Sequence, residues 1–294
     1  MITMLNYYFF KRCLESLPNH IKNNLEYDND LLFNLSTFLD LGYYYKLFNP
    51  IKKDKYKLNI ILKSDDRIFD FVLECLYICK KKNDYQGLLL IYAILSNKIL
   101  SDYITPYINL YVDKKNSYQK LSNMIDYYYT KAIDKIDLTK ISIASIFKCD
   151  FIYHDFIEQT IHNPLIKVYK FFCSKPYFTR ALKRKEFYFT YCTLSTTKIK
   201  KLGFLLFDLI INHFKKPKFN QFIYSNKVNT TIFNLGKKPY LIGEETYNYN
   251  FDELLDQALK KTNTYIDAIN QYIQYDNDKQ LKKLWNIDKN EKLN

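Results

Sequence analysis

Asn97, Ser101 and Thr105 recur every four residues within "LLLIYAILSNKILSDYITPYI". That spacing puts them on one face of a helix. Neutral amides and hydroxyls in such a row hydrogen-bond one another or trapped water. They are poor metal ligands. A zinc hydrolase gathers imidazole nitrogens and carboxylate oxygens at about 2.0–2.2 Å. The four histidines, His20, His154, His162 and His213, are scattered along the chain. His154 and His162 lie eight residues apart, beside Asp155 and Glu158. They share a helix face and read as solvated or capping groups. The six cysteines form no CxxC pair. Cys75 and Cys79 fall in the apolar pattern of Phe71, Val72 and Leu76, which reads as buried thiols. The chain has no GxSxG, P-loop or GxGxxG motif, and its five glycines leave little room for a phosphate-cradling loop.

The elements that would position these groups are helices. Apolar residues recur at Ile68, Phe71, Val72, Cys75, Leu76 and Cys79 after a candidate cap at Ser64. Asp84 is placed to cap a following helix through Leu100. Leu121, Met124, Ile125 and Tyr128 share a face, and "KIKKLGFLLFDLIINHF" reads as a strongly apolar helix. Asn250 and Glu253 have capping-box spacing, opening a helix through Phe251, Leu254, Leu255, Ala258, Tyr265, Ile266, Ile269 and Ile273. Residues from about 219 to 249 are less periodic and read as an extended arm crossing the surface. No repeat and no Gly-rich linker divides the chain. The expectation is an all-α fold: one compact multi-helix domain over 1–288, with a disordered tail at 289–294.

Composition limits the function classes. Hydrophobic residues make up 48% and charged residues 26% of the 294, ordinary values for a folded chain. The abundance of Tyr, Phe, Lys, Asn and Ile fits an AT-rich coding bias, so tyrosine content alone carries little functional weight. The net charge of +13 is uneven: residues 167–218 hold thirteen basic side chains against Glu186 and Asp208. Such a stretch attracts phosphate on nucleic acid or an anionic membrane surface. Lys183, Arg184, Lys185, Lys198, Lys200 and Lys201 are the candidate polyanion-binding residues. Most of the stretch is Lys, a point charge rather than a bidentate fork, so weak specificity is expected. The opening "MITMLNYYFFKRC" lacks signal-peptide features, and no run reaches about 18 consecutive apolar residues. The reading is a soluble, reducing, cytoplasmic setting.

Five segments occur in an order that resembles the bacterial zinc-dependent phospholipase C-like family, all-helical relatives of phospholipase C and P1 nuclease. "NYYFFKRCLESLP" is similar to its opening helix, and "FNLSTFLDLGYYYKL" to its GPD…YY segment. "LLIYAILSNKILSDYITPYI" resembles its HFxxDxxxHPYI helix, and "SYQKLSNMIDYYY" its HxxxE…FD helix. "NLGKKPYLIGEETYNYNFDELLDQALKKT" resembles its late arm and last helix. The stretch from about 140 to 200 carries the least likeness. The resemblance implies a phospholipase C/P1 nuclease-like fold and a zinc cluster. Carried over by position, the first His falls on Asn6 and the Asp of GPD on Asp40. The His, Asp and His of the central helix fall on Asn97, Ser101 and Thr105. The later His and Glu fall on Tyr118 and Ser122. Only Asp40 keeps a strong ligand, so the resemblance implies a family member with no intact metal site, no expected cofactor and a non-enzymatic binding or scaffold role. Two alternatives stay open. One is an active metal-dependent phosphodiester or phospholipid hydrolase with a divergent site built on Asp40, Asp102 and Asp126. The other is a basic helical protein that binds polyanions through residues 167–218.

Overall fold

A computed structural model describes residues 2–47, 67–114, 116–148, 155–171, 175–192, 224–225 and 227–291. The described chain is mostly helical, as the sequence periodicity requires. In chain order the helices are α1 (Met4–Glu15), α2 (Asn19–Lys22), α3 (Asn29–Ser36), α4 (Leu41–Leu47), α5 (Ile68–Lys82), α6 (Tyr85–Asn109), α7 (Tyr118–Ile133), α8 (Ile143–Ile146), α9 (Asp155–Tyr169), α10 (Lys175–Phe187), α11 (Phe251–Tyr275) and α12 (Lys279–Glu291). A 3₁₀ turn, Phe38–Asp40, joins α3 to α4. A π-helical turn, Tyr188–Cys192, extends α10.

Helix α6 is the central post. Every residue from Gly87 to Leu100 is buried. Helices α1, α3, α5 and α11 pack around it. By length and mean hydropathy this 25-residue helix is apolar enough to cross a membrane, but 83% of its most apolar window is buried inside the domain. Asp84 caps it as expected, accepting from the Gly87 N–H at 2.9 Å. It continues to Asn109 instead of stopping at Leu100. Pro106 removes one N–H from its ladder without ending it.

Local rules explain most of the remaining boundaries. The Asn250–Glu253 capping box forms in both directions and starts α11. Helix α11 stops where Asp276 adopts a left-handed backbone, φ 56°. Lys80, from the last turn of α5, reaches across to this end. It donates to the Tyr272 carbonyl at 2.9 Å and pairs with Asp276, as a cation should at a helix C-terminus. Helices α7 and α3 are capped by Ser117 and Asp28. On α7, Leu121, Met124 and Ile125 are buried. Tyr128 stays about one-third exposed and lies against the Phe233 ring at 4.2 Å between centroids.

The arm is less plain than an extended strap. It holds a 3₁₀ turn, Thr230–Phe233, and a short antiparallel hairpin, β1 (Tyr240–Ile242) with β2 (Glu245–Tyr247). Gly243 turns the hairpin at φ 63°. Tyr107 of α6 fastens the arm by donating to the Ile232 carbonyl at 2.7 Å. Helix α12 runs to Glu291, three residues into the stretch expected to be a tail. The Ser64 cap, the apolar helix read at 198–214 and residues 292–294 lie outside the described residues.

Candidate functional site

The row of small polar groups on α6 meets the start of α7. The Ser101 and Thr105 hydroxyls lie 3.1 Å apart, and Thr105 Oγ1 lies 3.2 Å from the Tyr118 hydroxyl. Ser122, fully buried one turn further along α7, donates to the Tyr118 carbonyl at 2.9 Å. The sequence therefore places Ser101, Thr105, Tyr118 and Ser122 on one polar seam between two helices. Asn97 sits one turn deeper. Its amide donates to the Ser36 carbonyl at 2.7 Å, and its Oδ1 has no partner among the described residues. Asn6 is buried on the neighbouring helix α1.

Asp40 ends the 3₁₀ turn before α4 and is 3% exposed. Its charge adds to burial in raising the Tyr43 and Tyr44 hydroxyls. The three acids of the divergent-hydrolase alternative do not share one role. Asp102 is largely solvated, and its carboxylate is bound by Lys98, whose own side chain is 2% exposed. Asp126 is fully buried, and both its oxygens are occupied. Oδ2 accepts from the Thr3 N–H at 2.8 Å and Oδ1 from the Leu5 N–H at 2.9 Å. The Tyr224 hydroxyl approaches Oδ2 at 3.5 Å from the arm.

Asp126 is thus a cap supplied from another helix. Thr3 precedes α1 without a capping side chain of its own. The first N–H groups of α1 need an acceptor, and α7 delivers a carboxylate to the positive end of the α1 dipole. Burial pushes the Asp126 carboxyl up to about 7, against the pull of the Leu5 and Thr3 N–H groups. Burial, and then Asp126 itself, raises the Tyr224 hydroxyl.

The basic stretch divides. Lys183 is exposed and Arg184 half-exposed on α10. Lys185 does not belong to that surface. It is fully buried, donating to Asn34 Oδ1 at 2.9 Å and Thr37 Oγ1 at 2.6 Å, with its ammonium 4.6 Å from the Phe33 ring centre. It faces inward because an amphipathic helix turns every third or fourth residue to the core, and Ala181, Leu182 and Phe189 are its neighbours on that side. Three basic residues in a row therefore mark one helix, not one face. Lys198, Lys200 and Lys201 lie outside the described residues, as do His154 and His213. His162 is half-exposed on α9.

Among the described residues, no three His, Cys, Asp or Glu side chains form a group that could hold a metal ion. Cys13, Cys75 and Cys79 are buried free thiols. Burial pushes the Cys79 thiol up to about 12, which leaves it unreactive at neutral pH. Sequence reasoning missed the Lys185 socket and the capping role of Asp126. The first left no sequence signal. The second left one: a helix start, "ITMLN", with no acid in its first turn.

Compared with known proteins, the chain matches no family model, no curated protein and no solved structure.

Proposed function

We propose that this protein is a non-catalytic relative of the zinc-dependent phospholipase C-like proteins that keeps a helical scaffold and acts by binding. The observation that carries this reading is the seam Ser101–Thr105–Tyr118. The positions that the resemblance assigns to metal ligands on two helices meet in space, and neutral hydroxyls occupy them. A hydroxyl chain of this kind satisfies itself. It offers no imidazole nitrogen or carboxylate to a divalent cation, and so no means of lowering the pKa of a bound water. Asp102 and Asp126, two of the acids of the divergent alternative, are engaged elsewhere, Asp102 with Lys98 and Asp126 with the start of α1.

Hydrolysis of bis-p-nitrophenyl phosphate with added zinc tests the reading. The expected rate equals the protein-free blank. A zinc-dependent rate that Asp40→Ala abolishes would replace this reading with the divergent hydrolase.

A further inference from the structure

Helices α1, α7 and α11 meet around a cavity of about 240 Å³, and none of its lining residues belongs to the α6–α7 seam. The buried Leu5, Phe9 and Leu255 give it an apolar floor, and Ile133, 52% exposed, stands at its mouth. Tyr8 and Tyr129 line the sides. Both hydroxyls donate to carboxylates, Tyr8 to Asp134 at 2.5 Å and Tyr129 to Asp252. Burial, and then those carboxylates, raise both hydroxyls, so they stay protonated and committed. Arg12 is committed as well, to Asp256 at 2.7 Å. What the lining leaves open is mostly acceptors. Asp134 Oδ1 and the Glu15 carboxylate have no hydrogen-bond partner among the described residues, and both side chains are exposed. Lys11 is the remaining cation of the lining.

We propose that this cavity binds a small organic ammonium ion with an apolar body, its charge held by Glu15 and Asp134 and its body seated on Leu5, Phe9 and Leu255. This proposal does not depend on the reading of the α6–α7 seam. Open acceptors call for a ligand that donates, and an ammonium brings both the charge and the N–H groups. Helices α1 and α7 end at Glu15 and Ile133, so the negative ends of two helix dipoles add to the carboxylates. Helix α11 starts beside the cavity with the opposite sign, which Asp252 and Glu253 in its first turn offset. The aromatic side chains of the lining, Tyr8, Phe9 and Tyr129, favour a cation over a neutral molecule. Sites for drug-sized ligands hold about 300–1,000 Å³. This smaller cavity suits a single ring on a short amine chain. An organic anion fits less well. Only Lys11 would be left to meet it, with Glu15 one turn along the same helix and Asp134 in the same lining.

The test is isothermal titration calorimetry of the intact chain with two probes. Phenethylamine is a cation at neutral pH, and phenylpropionate carries a negative charge on nearly the same body. Phenethylamine is expected to bind saturably at one site per chain, and phenylpropionate at least about tenfold more weakly. Glu15→Gln with Asp134→Asn should weaken phenethylamine binding by about tenfold. Glu15 is exposed, and the asparagine keeps an acceptor for the Tyr8 hydroxyl, so the fold is retained. Lys11→Gln should leave phenethylamine bound as tightly or more tightly. Glu244→Gln with Asp278→Asn, equal in charge change but on the hairpin turn and between α11 and α12, should weaken it far less. Absence of saturable phenethylamine binding would overturn the proposal. So would phenylpropionate bound as tightly as the amine, or a Glu15→Gln, Asp134→Asn protein that binds the amine as tightly as the parent.

Discussion

Asp126→Ala is expected to cost about 3–5 kcal/mol, much of the stability of a typical domain. The substitution leaves the Thr3 and Leu5 N–H groups buried at the start of α1 without their acceptor. It also removes the contact that ties Tyr224 of the arm to α7. Asp126→Asn, which keeps one carbonyl oxygen, should cost about half as much. The two variants differ from the parent in pH response as well. Burial raises the folded carboxyl to about 7, whereas the unfolded chain loses this proton near pH 4. Folding therefore retains a proton across that window. The contribution to stability is fully present below about pH 4 and is lost as pH rises through about 7. Urea unfolding followed by circular dichroism at about pH 5 and pH 8 should show the parent less stable at the higher value. Asp126→Asn should lack that share of the decline. An Asp126→Ala protein as stable as the parent would show that α1 does not depend on this cap.

Gly87→Ala should also be costly, although alanine is the better helix former by about 1 kcal/mol. A methyl group at this position would lie 2.6 Å from Cys79 Sγ, 2.6 Å from Thr160 Oγ1 and 2.7 Å from Asp84 Oδ2. These atoms belong to three separate places, helices α5 and α9 and the cap of α6 itself. All three would have to retreat together. Overpacking of this kind costs about 1–3 kcal/mol beyond the propensity gain. Calorimetry should show the melting temperature falling by roughly 2 °C or more. An unchanged or raised melting temperature would mean that α5 and α9 yield easily at this crossing.

How legible these features were depends on how local their causes are. The capping box at Asn250, the Asp84 cap and the apolar faces of α5, α7 and α11 are set by residues within a few positions of one another, and the sequence displays them. The four-residue rhythm of Asn97, Ser101 and Thr105 is equally local, whereas Tyr118 came to be set beside it only through what the resemblance implies. The Asp126 cap joins residues more than 120 positions apart. The local sequence shows only that α1 has no acid in its first turn, not which residue caps it, so Asp126 read as a candidate carboxylate of a divergent metal site. Lys185 was misread for a related reason. Charge is counted along the sequence, whereas burial follows the helical turn, and one step separates the half-exposed Arg184 from Lys185 in the core. Nothing in the local sequence sets Gly87 apart. Its necessity comes from Thr160 and Cys79, neither of them close to it in sequence.

The central claim is that hydroxyls have replaced metal ligands on the α6–α7 seam. Metal content by mass spectrometry tests it most directly, on protein purified without chelators and without a metal-binding tag. The account predicts less than about 0.1 zinc per chain, because the seam offers neither imidazole nor carboxylate. Zinc held in stoichiometric amount through extensive dialysis, and lost on Asp40→Ala, would contradict it.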